Sequence, residues 1–577
     1  MKIGDLFHKK EDKTDVSDTE RVRRAALILE KYKAGKVNLD RRIVENDRWF
    51  RMRHTSGGVK DSAPSPSSGW LFNAIANRHA DVMDNYPAPV ILPREEDDRE
   101  EAETLSKIVP VILDRCDFEE VYSDVQMYKL KTGTGVYGVF WDGGKDGGLG
   151  DVTVRKIDLL NLFWEPGVDD IEDSANLFYV ESVPNDRLVA AYPILKDKVG
   201  RGGPTVMRYI YDDTVDASDR TCVVDWYYKK RVGGRTVVHL SKFALDVLLY
   251  SSEDDPALCE RGFYDHGRYP FVFDTLYRAE GTPAGFGFID VGKGAQDFID
   301  RGGQAILENM LAGARPRYFE RIDGSINEEE FTDFTKNVVH VSGNLGEDSV
   351  RPVTHYPLSP VYLEVLRDKI VELKETMGNR DVNSGGTVSG VTAASAIAAM
   401  QEAGAKLTRD NNKASYRAFR RVVLLIIELI RQFYDTERRF RITGDDGAPL
   451  FIGYENAGLV PRDQGDFCGE ALGARTPLFD VKVTAEKASP YSKMAQNELA
   501  LELYKYGLFS PAAAPAALMC LEMMDIDNKE RIMERIAKNA GADEIRIPEK
   551  IAPSDLSGGE SAVTAAARKR TAMMTEV

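Results

Sequence analysis

The sequence predicts an α+β protein with several cores, and three observations carry that reading. Its 577 residues exceed what one hydrophobic core serves. Long segments at both ends carry apolar residues at the three- and four-residue spacing of helices. Between Gly138 and Leu240 the period shortens to β-rich runs separated by Gly, Asp and Asn, as in antiparallel hairpins.

Composition narrows the function classes. Hydrophobic residues at 43% and charged residues at 29% describe a globular chain. The net charge of −17 suits poorly a protein that coats DNA by neutralising phosphates, although brief or sliding contact stays open. Five cysteines (Cys116, Cys222, Cys259, Cys468, Cys520) show no zinc-type spacing, which predicts reduced thiols in a cytosolic protein. Met1 to Thr19 lacks an apolar core, so no signal peptide is expected. The longest apolar run, Val422 to Ile427, is far short of the ~20 residues that span a bilayer. A soluble chain is expected.

Taken in order, Thr19 to Thr55 reads as helix, within a basic stretch: Met1 to Lys60 holds 16 Lys/Arg against 10 Asp/Glu. Ser56 to Gly69 is a loop, and Trp70 to Tyr86 a helix stopped by Pro87-Ala88-Pro89. Acidic Glu95 to Glu103 opens the next helix, where carboxylates suit the positive end of the dipole. Strands are expected at Val139–Trp141, Val152–Val154, Leu177–Val180, Cys222–Tyr228 and Val237–Leu240. Asp290 to Leu311 is a helix, with Gly302-Gly303 explained equally by close approach of a neighbour or by a break.

A small insert follows, with strands at Arg317–Phe319 and Val338–Val341 around a short acidic helix, Asn327 to Lys336. Ser359-Pro360 supplies the N-cap and first position of a helix carrying Leu363, Leu366, Ile370, Leu373 and Met377. That spacing suits helix-on-helix packing. The loop Asp381 to Val391 separates it from a very long helix, Thr392 to Tyr434, with a kink expected at polar Thr408–Lys413. Arg439–Ile442 and Leu478–Val483 are expected to rejoin the earlier sheet. Helices run from Tyr491 to about Ala540, before a mobile tail.

No enzymatic motif survives inspection. Gly133-Thr134-Gly135-Val136-Tyr137-Gly138 spells a dinucleotide fingerprint, but helix precedes and strand follows, the reverse of the required order. It is read as a turn. Gly287 to Lys293 spells G-x-x-x-x-G-K, yet Gly294 replaces the magnesium-binding Ser/Thr and Asp290 would repel phosphate. It is read as a helix start. The scattered histidines and the acidic clusters Glu95–Asp98 and Glu328–Glu330 lack metal-ligand spacing. Neither catalytic residue, metal nor cofactor is expected.

The order of elements nonetheless resembles that of portal proteins of tailed double-stranded DNA bacteriophages. The likeness is carried by Asn73 to Tyr86 with Pro87 and Pro89, by Thr132-Gly133-Thr134-Gly135 before Val139-Phe140-Trp141-Asp142, and by Ser389 to Ile397 leading into Tyr416 to Tyr434. It covers residues 20–545. The resemblance implies a portal fold: a mixed helix/sheet wing, two stem helices, a small α/β clip, a long kinked wing helix and a helical crown. By position it implies an arm at 1–18, wing at 19–285 and 436–489, stem helices at 286–314 and 358–380, and clip at 315–357. A tunnel loop at 381–391, the long helix at 392–435, a crown at 490–545 and a flexible tail at 546–577 complete it.

The resemblance also implies a function. A homo-oligomeric ring of about twelve subunits would occupy one capsid vertex of the virion, after assembly in the host bacterial cytoplasm. It would pass double-stranded DNA during packaging and ejection. Implied partners are the terminase large subunit, major capsid and scaffolding proteins, and a head-completion or adaptor protein, with no membrane. DNA would meet Asn383, Ser384, Gly385, Gly386, Thr387, Ser389 and Gly390 of the tunnel loop. Terminase would dock on Glu328, Glu329, Glu330, Phe331 and Phe334 of the clip, and Phe298, Ile306, Leu363, Leu366, Ile370 and Leu373 would pack the stem. Twelve acidic copies would surround the duplex with roughly −200 charges, favouring sliding over adhesion. The rival readings are a P-loop-like ATPase built on Gly287 to Lys293 and another phage tail or baseplate component.

Overall fold

The computed structural model describes residues 16–54, 67–200, 206–209, 219–314, 317–320, 326–333, 335, 337–343, 350–353, 356–378, 406–443, 449–463, 466–467, 470–471, 474–487, 500–507, 514–522, 532–533 and 535–536. The expected tunnel loop 381–391, the first turns of the long helix, the C-terminal tail and Phe334 lie outside these residues. The chain forms two compact units, Met1–Glu486 and Lys487–Val577, and the fold is α+β.

The first unit opens with α1 (Val16–Phe50) and α2 (Trp70–Met83). The second helix is shorter than its sequence suggests, because Asn85–Pro93 forms a strand, β1. Two prolines one residue apart signal a stop; here they signal an edge. The N–H and C=O of Ile91 both bond the Ser106 hydroxyl, whereas Ala88 and Arg94 bond Thr484 and Leu478 in or beside the partner strand. Pro87 and Pro89 share the phase of Ile91, so their missing donors face away from the ladder. The acidic segment then enters α3 (Arg99–Arg115) and α4 (Phe118–Thr132).

The G-x-G-x-x-G stretch is the expected turn. Gly133 caps α4 with φ +95°, and β2 (Thr134–Asp142) begins at once. A Cβ at Gly133 would lie 2.3 Å from the Phe286 backbone, so glycine is required for space as well as conformation. β2 pairs antiparallel with β3 (Asp151–Ile157) and, further on, with β9 (Phe271–Thr275). A second, five-stranded antiparallel meander joins β4 (Leu162–Trp164), β5 (Asn176–Pro184), β6 (Arg220–Val232), β7 (Arg235–Ala244) and β8 (Val247–Ser251), with the short α5 (Asn185–Ala191) between β5 and β6. Alternate residues of β5 serve two cores. Phe178 and Val180 meet Val22, Ala25 and Leu29 of α1, while Leu177 and Tyr179 meet Val136 and Phe271 of the smaller sheet. All five strand runs expected before residue 241 are present.

Short β10 (Tyr277–Arg278) and β11 (Gly285–Phe286) lead into α6 (Phe288–Ala314). The insert carries β12 (Tyr318–Glu320), α7 (Glu328–Thr332) and β13 (Val350–Pro352), with β12 pairing β13. The strand expected at Val338–Val341 is absent. Val341 makes only an isolated bridge to Ile326, and the His340 N–H goes to the Glu330 carboxylate at 2.8 Å. Val338 and Val341 are exposed, so an apolar run alone lacked both a partner and a buried face. The chain returns through α8 (Pro360–Thr376), whose Ser359 occupies the N-cap without a side-chain cap bond.

The long helix, α9, is described over Lys406–Phe433 and runs unbroken through Thr408–Lys413. The helix is continuous where the kink is expected, Asn411 and Asn412 of this segment are buried, and the Asn411 carbonyl accepts from Ser415, a member of a buried polar network. Lys129 and Asp274 pair at 2.7 Å, both fully buried, and Lys129 donates to Ser415 at 2.9 Å. Ser415 donates to Gln126, which in turn donates to Asp274. Burial pushes the Lys129 ammonium down, and the Asp274 charge opposes it. Beyond this network Phe419, Val422, Val423, Ile426 and Ile430 enter the largest core beside α3, α4 and β2.

The later strands do not rejoin the earlier sheets. β14 (Arg438–Thr443) pairs with β15 (Pro449–Tyr454), and two minimal pairs follow, β16 (Arg462–Asp463) with β19 (Ala474–Arg475) and β17 (Asp466–Phe467) with β18 (Glu470–Ala471). β20 (Phe479–Lys487) joins β1 in a two-stranded sheet. Phe440, Ile442, Phe479 and Val481 still reach the core of α9, so β14 returns by packing and β20 both by packing and by its pairing with β1. The second unit holds a helical turn at 500–505 and α10 (Ala514–Glu522) around Leu503, Ala517, Leu518, Leu521, Met533 and Ile536.

Candidate assembly surface

The helices α6 and α8 form an antiparallel pair. Gly292 faces Leu373 and Met377, Gly302 faces Leu366, and Asn309 bonds the Tyr356 carbonyl at 3.1 Å. A Cβ at Gly302 would lie 3.0 Å from Leu366 Cδ1, so of the two explanations for this glycine, close approach holds, and the helix is continuous. At its base the pair is anchored. Phe288, Ile289, Ile299, Leu373 and Met377 share a core with Leu71, Ala74 and Ile75 of α2, and Arg78 donates to the Met377 carbonyl at 3.1 Å.

A second anchor ties α6 to the end of α1. Asp300 accepts from the Ser68 N–H and hydroxyl and from Gln296, and His54 Nε2 lies 2.9 Å from it while stacking on Trp49. Burial would raise the Asp300 carboxyl, but the bonds from His54, Ser68 and Gln296 prevail and hold it below the usual range.

Away from the base the pair lies open. Leu373 is buried and Leu366 and Ile370 pack partly against the α2 core, whereas Ile306 is half-buried. Phe298 and Leu363 are exposed at 45% and 48%, and Lys369 sits 5.8 Å from the Phe298 ring. Met310, at 60%, joins them, as do three residues not singled out from sequence: Val361 and Tyr362 at 59% each and Val371 at 53%. The signal available was that α8 is apolar on more than one face, more than one packing partner requires.

In the insert, Glu328 and Glu329 are exposed, but Glu330 is engaged by His340 Nδ1 at 2.7 Å. Phe331 meets Tyr318 edge to face at 5.1 Å. Phe319 and Val338 of the same insert are exposed at 66% and 63%.

The G-x-x-x-x-G-K segment is the expected helix start. Asp290 accepts from the Gly287 N–H at 2.9 Å, and Lys293 turns to Glu45 at 3.3 Å. A Cβ at Gly292 would lie 2.6 Å from Leu71 Cδ2, so apolar side chains fill the space a phosphate would need. Among the described residues no group of His, Cys, Asp or Glu could hold a metal ion, and no described helix is long and apolar enough to cross a membrane.

Comparison with known proteins completes the picture. A family model described as phage P22-like portal protein matches residues 80–273 and 285–576, most of the chain. No curated protein matches it.

Proposed function

The chain belongs to the family of phage P22-like portal proteins, and from that premise we propose that its copies close into a ring that conducts double-stranded DNA through one capsid vertex. Portal proteins are structural and non-enzymatic, so ATP hydrolysis is left to a separate terminase. The observation that supports the ring is the open apolar face of α6 and α8. Monomeric proteins rarely leave so many large apolar side chains of one helix pair uncovered, and a neighbouring copy would cover them. On this reading α6 and α8 are the stem, the insert 315–357 is the clip, and residues 381–391 project into the channel.

The clip would offer Glu328, Glu329, Phe319 and Val338 to terminase and later to head-completion proteins. Asn383, Ser384, Thr387 and Ser389 would touch phosphates without reading bases. The long helix and the later strands would complete the wing, and unit Lys487–Val577 would contribute the crown.

Electron microscopy of purified particles tests the reading. A ring with a hole wide enough for a duplex is expected; monomers at every concentration and salt would refute it. Deleting Ser384 to Gly390 should leave the ring intact while impairing genome packaging or retention. Collapse of the ring on that deletion would make the segment structural instead.

A further inference from the structure

The first unit contains a cavity of about 320 Å3 whose walls carry Arg94, Arg268, Arg420 and Arg431. Two carboxylates share it. Asp480 accepts from Arg94 and from Arg420, each at 3.1 Å, and Glu428 accepts from Arg431 at 2.6 Å. The Arg94 bond is the largest influence on Asp480 and holds its carboxyl below the usual range. Four guanidinium groups against two carboxylates leave a local excess of two positive charges, in a chain whose net charge is −17.

Arg268 is exposed and forms no ion pair among the described residues. Beside it His266 Nδ1 accepts the Arg268 N–H at 3.0 Å, which leaves Nε2 as a further donor. Burial, then the Arg268 charge, pushes that imidazole down to about 3, so it donates as a neutral ring. Leu424, Ile427 and half-exposed Leu478 complete the wall.

We propose that this cavity docks an acidic, aliphatic peptide segment of a partner protein, seating a carboxylate side chain among the arginines and an aliphatic one on the leucines. Guanidinium forks match carboxylates in bidentate geometry. A recess with leucine in its wall admits protruding side chains, one acidic and one aliphatic, whereas a duplex presents a smooth rail of phosphates with no apolar group to set on the leucines. Charge complementarity calls for an anion, and the leucines beside the arginines favour peptide over nucleic acid. The inference does not rest on the ring or on its channel.

Fluorescence anisotropy on the full chain tests it, using a labelled peptide of alternating Glu and Leu. Saturable binding is expected, with the Gln-Leu counterpart bound at least about tenfold more weakly. Arg268→Glu should weaken the Glu-Leu peptide by a similar factor while Arg268→Lys largely restores it, both with unchanged melting temperature. Equal binding of the Gln-Leu peptide, no binding to the unmodified chain, or indifference to Arg268→Glu would overturn the proposal. Displacement by inorganic phosphate or by duplex DNA at matched charge would overturn it too, assigning the cavity to a small anion or to nucleic acid.

Discussion

Lys129 and Asp274 are the pair on which the middle of the first unit turns, because each is fully buried and neither can reach water. Lys129→Ala should cost about 3–5 kcal/mol, since it strands a buried carboxylate. Replacing both with Met and Leu should recover much of that loss. Urea denaturation of the parent and both variants checks the ordering, and a Lys129→Ala variant as stable as the parent would contradict it. Asp300 supplies a second residue-level test. Its folded carboxyl is held low, so its stabilising contribution is complete above the unfolded value of about 3.9 and is lost as pH falls through the folded value. Asp300→Asn should therefore flatten the fall in melting temperature below about pH 4; identical pH profiles would show the carboxylate to be idle. Neither pair was legible in the sequence. Lys129 lies 286 positions from Ser415, and His54 lies 246 from Asp300, so nothing local signals either partnership. The glycines were more readable: Gly133 announced a turn by its setting between a helix and a β-rich run, whereas Gly302 needed the neighbouring Leu366 to choose between its two meanings.

Elements with a clean period were read well. The β5 and β6 runs declared themselves by their β-branched and aromatic content, and α6 by its apolar stripe. Errors arose where a local signal had a non-local cause. Proline in Pro87–Pro89 marks an unpaired side rather than an end, and apolar Val338–Val341 lacks a partner strand. Apolar spacing on α8 likewise located a packing helix without telling covered residues from open ones. Leu373 and Leu363 look alike in sequence, yet one is 2% exposed and the other 48%. That difference predicts opposite phenotypes. Leu373→Ala should destabilise the folded subunit by about 2–5 kcal/mol, as a core truncation does. Leu363→Asp with Phe298→Asp should leave subunit stability nearly unchanged and disperse the assembly, as read by analytical ultracentrifugation and thermal melting. Intact assemblies from that double variant would remove the open face from the interface.

At the scale of the whole molecule, charge would set the terms on which the proposed ring meets DNA. A ring of acidic subunits repels a duplex, and added salt screens repulsion as readily as attraction. Retention of duplex DNA by assembled particles should therefore hold steady or rise between about 50 and 200 mM salt, opposite to the steep loss shown by proteins that grip phosphates. A steep fall in a filter-binding assay would mean that DNA is gripped. The first unit should also stand without the second, because its largest core is closed by α9, β14 and β20. A chain ending after Lys487 should melt cooperatively; loss of that transition would make residues 488–577 part of its fold. The α6–α8 pair is built in at the root, where Leu373, Met377 and Asp300 are clamped, and is bare toward its tip, where Met310 and Tyr362 stand uncovered. Such a beam is a cantilever. A load applied at the tip bends it most sharply at the clamp, so whatever pushes on the far end is felt first by the cluster around Leu71 and the Asp300 anchor.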